Sequence, residues 1–148
     1  MEISFISEHG LLDLAKLYQQ LIPSDVSVAT MRDVFKRQEK NPDHMVWGAK
    51  IDGHLVGTVM AVIFEPLLGH CKPLMVIEDV IVDKAYRHQG VGKALIHAVE
   101  ERAMDRKCLY IMLITDSHRL DALQFYKAVG YSQDGYCAFK KYLYGTDP

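Results

Sequence analysis

The aliphatic run Val80-Ile81-Val82 breaks into a polar loop, Asp83 to Gln89, which closes on Gly90 and Gly92 at the start of a new apolar helix. A strand that turns into a helix in this way aims the helix's first backbone N–H groups, and the positive end of its dipole, at one point. Glycines at 90 and 92 carry no Cβ to hold a bulky anion off the backbone. Lys84, Arg87 and Lys93 add charge around the same point, opposed only by Asp83. The stretch predicts a strand–helix unit with a diphosphate cradle in its turn.

Spelling narrows the ligand. A Walker A loop needs Gly five positions before its Gly-Lys pair and Ser or Thr after it; Arg87 and Ala94 stand there. A dinucleotide fingerprint needs a small residue where Leu95 stands and opens on the first strand of its fold. Only Asp116, at the end of the following strand, keeps that reading open. An ordinary glycine-bearing turn is the plain alternative.

The order Val82, four residues, Arg87-x-x-Gly90-x-Gly92 resembles the acetyl-CoA-binding motif of the GNAT superfamily of N-acetyltransferases. Some thirty residues on, Ala122-Leu123-Gln124-Phe125-Tyr126, followed by Gly130-Tyr131, is similar to the family's second signature. Together the motifs cover roughly residues 74–131. The resemblance implies an α/β (α+β) fold: a mixed, mostly antiparallel sheet of six or seven strands flanked by about four helices, with strands 4 and 5 splayed. It also implies a single N-acetyltransferase domain over residues 1–148, with acetyl-CoA as co-substrate.

Composition sets outer limits. The 148 residues are 49% hydrophobic and 24% charged, as in ordinary globular domains. A net charge of −2 speaks against general nucleic-acid binding. No apolar run approaches the ~20 residues of a membrane span, and Met1-Glu2-Ile3-Ser4-Phe5 does not read as a signal peptide. Cys71, Cys108 and Cys137 form no Cys-x-x-Cys pair, and the seven histidines show no ligand spacing. The expectation is a cytoplasmic protein with no metal, no nucleic-acid partner and no membrane partner.

Periodicity supplies the elements. Strands are expected at 2–6, 44–50, 54–64, 74–82 and 108–114, the last apolar enough to be covered on both faces, and at 136–143. Helices are expected over 11–21, over a Val28, Met31, Val34, Phe35 stripe, from Val91 through Ala103, and over 119–129. Apolar residues near the last edge, Tyr136, Phe139, Tyr142 and Leu143, suggest a homodimer.

Acetyl transfer to an amine requires that the cofactor be held, that the amine lose a proton, and that the departing thiolate gain one. The resemblance implies that backbone groups of Val80, Ile81 and Val82 pair with the pantetheine arm. It places Arg87, His88, Gln89, Gly90, Val91, Gly92 and Lys93 at the diphosphate, and Tyr126 beside the sulfur as general acid. A phenol of pKa ~10 stays protonated at neutral pH and can donate; without the resemblance, Phe125 and Tyr126 read as core aromatics. Glu78 and Asp79 interrupt the apolar strand, and alternation would send them to opposite faces. Glu78 is the first candidate for the base, its pKa raised by burial, or else a carboxylate that only bonds a bulged backbone. Asp79, Asp116 and a bound water are the other candidates.

Ile77-Glu78-Asp79-Val80 also resembles the glucosamine-6-phosphate N-acetyltransferase branch. Arg119 stands where many members have Asn, so a contact from there to the cofactor arm is in question. The expected acceptor is a primary amine on a small molecule: an amino sugar, an amino acid or a polyamine. A protein or peptide acceptor and a non-catalytic acyl-CoA sensor are the alternatives.

Overall fold

Apolar runs bounded by turn residues become five strands: β1 (Glu2–Phe5), β2 (His44–Ile51), β3 (His54–Phe64), β4 (Leu74–Val82) and β5 (Ile111–Leu113). Four α-helices separate or follow them: α1 (Leu11–Leu21), α2 (Val28–Gln38), α3 (Val91–Asp105) and α4 (Leu120–Ala128). The computed structural model describes residues 1–23 and 27–143. By contact density the chain divides into two units, Met1–Met112 and Leu113–Pro148.

The sheet runs in chain order, β1-β2-β3-β4-β5. The first four strands are antiparallel neighbours. Leu109 N–H donates to the Pro73 carbonyl at 2.8 Å and Met75 N–H to the Tyr110 carbonyl at 3.2 Å. Numbering ascends together on the two segments, so β5 joins β4 in parallel and the sheet is mixed. With three residues against nine, β5 can flank at most a third of β4, and among the described residues no strand pairs with the outer edge of its far end.

Two strand expectations change. Cys108 is not in a strand; its N–H bonds the Ala103 carbonyl at 2.8 Å, finishing the turn after α3. β5 is therefore short, and it is half-exposed rather than covered on both faces. Residues 136–143 enter no ladder. Five strands are found among the described residues instead of six or seven, because an apolar alternation becomes a strand only where a neighbour offers backbone partners.

The core fixes where the cradle sits. Leu95, Ile96 and Val99 of α3 are buried with Val59, Ala61, Met75 and Ile77 of the sheet. Burying each large aliphatic side chain is worth roughly 1.5–3 kcal/mol, so the stripe locks the rotation of α3 and the aim of its N-terminus. On the other side, α1 packs on β3 and β4 and touches α2. The apolar stripe of α2 is different: none of its residues is fully buried.

In the second unit α4 ends in a Schellman motif. Gly130 takes φ +96°, Tyr131 N–H donates to the Tyr126 carbonyl at 2.9 Å, and Gly130 N–H donates to the Lys127 carbonyl at 3.1 Å. Only a residue tolerant of positive φ closes a helix this way.

Candidate active site

Chemistry concentrates along β4 and the loop that follows it. Met60 of β3 faces Glu78, and Thr58 faces Ile81, so Val59 alone opposes Asp79 and Val80. This is a β-bulge, with Asp79 at φ +52°. The extra residue breaks strict alternation, and the expected divergence of the two carboxylates is corrected accordingly. Residues directly opposite across a ladder share a face; Glu78 thus shares the face of Met60, and Met60 and Asp79 line the same cavity.

That cavity measures about 510 Å³ and lies between α1, α2 and the sheet. Met31, Val34 and Phe35 line it, which explains why the stripe of α2 is only half-buried. Tyr18 of α1 lines it too, whereas Trp47 belongs to a separate groove with Phe5 and α3. Thr58, fully buried, donates its hydroxyl proton to the Trp47 carbonyl at 2.8 Å. The Tyr18 hydroxyl also hydrogen-bonds the Thr58 side chain, which offsets part of the shift that follows. Burial pushes the Tyr18 phenol well above its usual value, and the nearby Asp79 charge pushes it further.

Glu78 is exposed, and the desolvation expected of it falls on its neighbour. Burial raises the Asp79 carboxyl above the ordinary Asp range. The native state therefore holds a proton more tightly than the unfolded chain, and stability falls as pH rises upward from ~3.9 through the raised value. The cost grows as the carboxyl ionises above the ordinary Asp range. Asp79→Asn keeps the shape and tolerates the positive φ, so the variant is expected to melt above the parent at pH 7. The gap should close below about pH 4, where both side chains are uncharged. Thermal scans at the two pH values check this; an Asn variant that melts lower at pH 7 overturns it.

The cradle follows directly from β4. The Asp83 carboxylate is occupied within the loop, accepting from Ala85 N–H at 2.8 Å and from the Gln20 amide at 2.8 Å. These bonds, the Ala85 one foremost, hold its pKa below the usual carboxylate range. Gln20 also accepts from Lys84 N–H at 3.2 Å and so ties α1 to the loop. Sequence reading missed Gln20, which lies 63 positions from Asp83. Arg87 Nε donates to the Val82 carbonyl at 3.3 Å, and the Gln89 amide to the Ala85 carbonyl at 3.1 Å. His88 and Gly90 are both left-handed, at φ +62° and +82°.

Gly90 is the N-cap of α3 and offers no side-chain cap. The first helical bond runs from Ala94 N–H to the Gly90 carbonyl at 3.0 Å, so the N–H groups of Val91, Gly92 and Lys93 precede the intrahelical ladder. A Cβ at Gly90 would meet nothing within 4 Å among the described residues. Uncapped N–H groups, a helix dipole and the cations Lys84, Arg87 and Lys93 fit a diphosphate. The edge at Val80, Ile81 and Val82, which pairs with no further strand among the described residues, fits an extended amide-bearing chain.

In the second unit the Tyr126 ring packs edge-on against Phe125 at 5.3 Å and Tyr131 at 6.1 Å. Its backbone carbonyl anchors the Schellman motif, so the ring is held at a fixed turn of the helix. Asp116 accepts from His118 N–H at 2.9 Å through its side chain, and its carbonyl accepts from Arg119 N–H at 3.0 Å. Arg119 is the N-cap of α4 and makes no side-chain cap bond.

A strand-edge and helix-cradle site on a mixed α/β sheet defines a class of anion-binding folds, and comparison with known proteins makes it specific. The model of the acetyltransferase (GNAT) family matches residues 11–131, and the chain belongs to that family. It is 30% identical over 117 residues to human N-acetyltransferase 8B, covering 78% of this chain and 51% of that protein. It is 28% identical over 117 residues to streptothricin acetyltransferase of Escherichia coli, covering 79% and 62%. The chain thus spans about half to three-fifths of these relatives' lengths. A solved protein of Agrobacterium tumefaciens str. C58 assigned to the acetyltransferases superposes with a TM-score of 0.90 at 26% identity, covering 97% of this chain and all of that one.

Proposed function

We propose that the protein is an N-acetyltransferase that moves the acetyl group of acetyl-CoA onto a primary amine of a small molecule. The observation that carries the reading is the course of β4: its bulge presents Asp79 to a cavity, its outer edge follows over Val80 to Val82, and the cradle begins at the next residue. One strand supplies, in order, a carboxylate, a binding edge and an anion site over about 10 Å.

Acetyl-CoA supplies an acyl thioester, and this chain's residues position and move protons. Arg87, His88, Gln89, Gly90, Val91, Gly92 and Lys93 hold the diphosphate, and β4 orients the arm. Glu78, Asp79 or a water between them takes a proton from the acceptor ammonium. The neutral nitrogen bonds to the carbonyl carbon, the C–S bond breaks as Tyr126 donates its phenolic proton to the sulfur, and the second proton that the nitrogen must lose passes through solvent to restore the phenol. In this scheme residues 1–148 are a single N-acetyltransferase domain.

A concave, mostly apolar cavity of about 510 Å³ with Tyr18 on its wall supports a small acceptor, as does the likeness to a protein named streptothricin acetyltransferase. CoA release from acetyl-CoA across a panel of primary amines tests the reading. Tight CoA binding with no amine accepted would leave the sensor alternative standing. Tyr136, Phe139 and Leu143, all exposed, support a homodimer through this region, which a monomer mass in light scattering refutes.

A further inference from the structure

We infer that the acceptor is an apolar monoamine, an amino group on an aryl or alkyl body with no acid group of its own, held with its body against α2 and its ammonium at Asp79. The inference rests on the acetyltransferase reading and narrows its substrate. Three observations carry it. The cavity wall is mostly aliphatic and aromatic, and the only charged side chain on it among the described residues is Asp79. No Lys or Arg lines it, so a phosphate or carboxylate on the acceptor would be desolvated without a partner and would lie near a like charge. Third, Met31, Val34 and Phe35 form an apolar stripe that stays half-buried: Met31 and Phe35 pack against the Ile6, Leu11 and Leu14 cluster, and all three also line the cavity.

Electrostatics agrees with the shape. Desolvation raises the pKa of Asp79, and the Asp79 charge raises that of Tyr18; among the described residues no cation is found to offset the burial of the carboxylate. An ammonium brought to it forms charge-assisted hydrogen bonds. The sugar-phosphate acceptor suggested by the Ile77-Glu78-Asp79-Val80 spelling lacks any matching cation on this wall.

The test compares 2-phenylethylamine with phenylalanine, which adds only a carboxylate to the same body, and with glucosamine-6-phosphate. Using the full chain and acetyl-CoA, kcat/KM is expected to be roughly 10- to 100-fold higher for 2-phenylethylamine than for either anionic acceptor. Asp79→Asn should raise KM for 2-phenylethylamine about 10-fold or more while shrinking its advantage over phenylalanine, since the like-charge repulsion goes as well. Val34→Lys, at a half-buried position of α2 on the cavity wall, should shift preference toward phenylalanine. A chain that acetylates phenylalanine or the sugar phosphate better than 2-phenylethylamine overturns the inference and leaves the acetyltransferase reading intact. Calorimetry separates the remaining cases. 2-Phenylethylamine binding that Asp79→Asn weakens, without acetyl-CoA binding, upholds the cavity's ligand and removes the reading; no binding of the amine removes the inference.

Discussion

Gly90→Asp is expected to abolish CoA binding while leaving the fold intact. The backbone at 90 is left-handed, and a non-glycine there costs on the order of 1–2 kcal/mol, a cost Asp bears better than most residues. The built Cβ meets nothing within 4 Å, so no packing is broken. The new carboxylate stands before the N–H groups of Val91, Gly92 and Lys93, where it repels a diphosphate and competes for the same donors. Gly90→Ala adds the Cβ without the charge and should weaken binding much less. Gly92→Asp, two residues into α3, should resemble Gly90→Asp. Calorimetry with CoA reads all three; unchanged affinity in both Asp variants would sink the cradle.

The sequence showed most of this scaffold because its signals were local. Pro73 and Asp83 bracket an apolar run, and β4 occupies the nine positions between. The fourfold repeat of Val91, Leu95, Val99 and Ala103 marks α3, and four of its positions are buried. The non-local features were not legible. Alternation assumes a regular strand, so the bulge at Asp79 was hidden, although two adjacent carboxylates in an apolar strand were a trace of it. Gln20 reads as one polar residue on an amphipathic helix, and nothing local ties it to Asp83.

The α2 stripe shows a different limit. Met31, Val34 and Phe35 have the spacing of a core face, and periodicity cannot distinguish a face packed against side chains from one that borders a cavity. Likewise residues 136–143 alternate like a strand and enter no ladder among the described residues. Pattern specifies what a segment can do; the availability of a partner decides what it does.

The catalytic assignments separate cleanly by mutation. Tyr126→Phe removes one hydroxyl and keeps the ring, whose edge-on contacts with Phe125 and Tyr131 need no oxygen. If that hydroxyl protonates the leaving thiolate, turnover should fall by roughly 10²–10⁴-fold, with CoA affinity little changed. The acidic limb of the pH–rate profile, which reports the base, should survive in this variant. Glu78→Gln should flatten that limb if Glu78 takes the amine's proton. The bulge gives the experiment a second arm, since Asp79 reaches the same face and already has a raised pKa. A limb that persists in Glu78→Gln and vanishes in Asp79→Asn assigns the base to Asp79. A limb unaltered in both points to a water or to an amine that enters neutral. Near-normal turnover in Tyr126→Phe would return Tyr126 to a packing role at the end of α4, where the Schellman motif alone accounts for an aromatic pair with Tyr131.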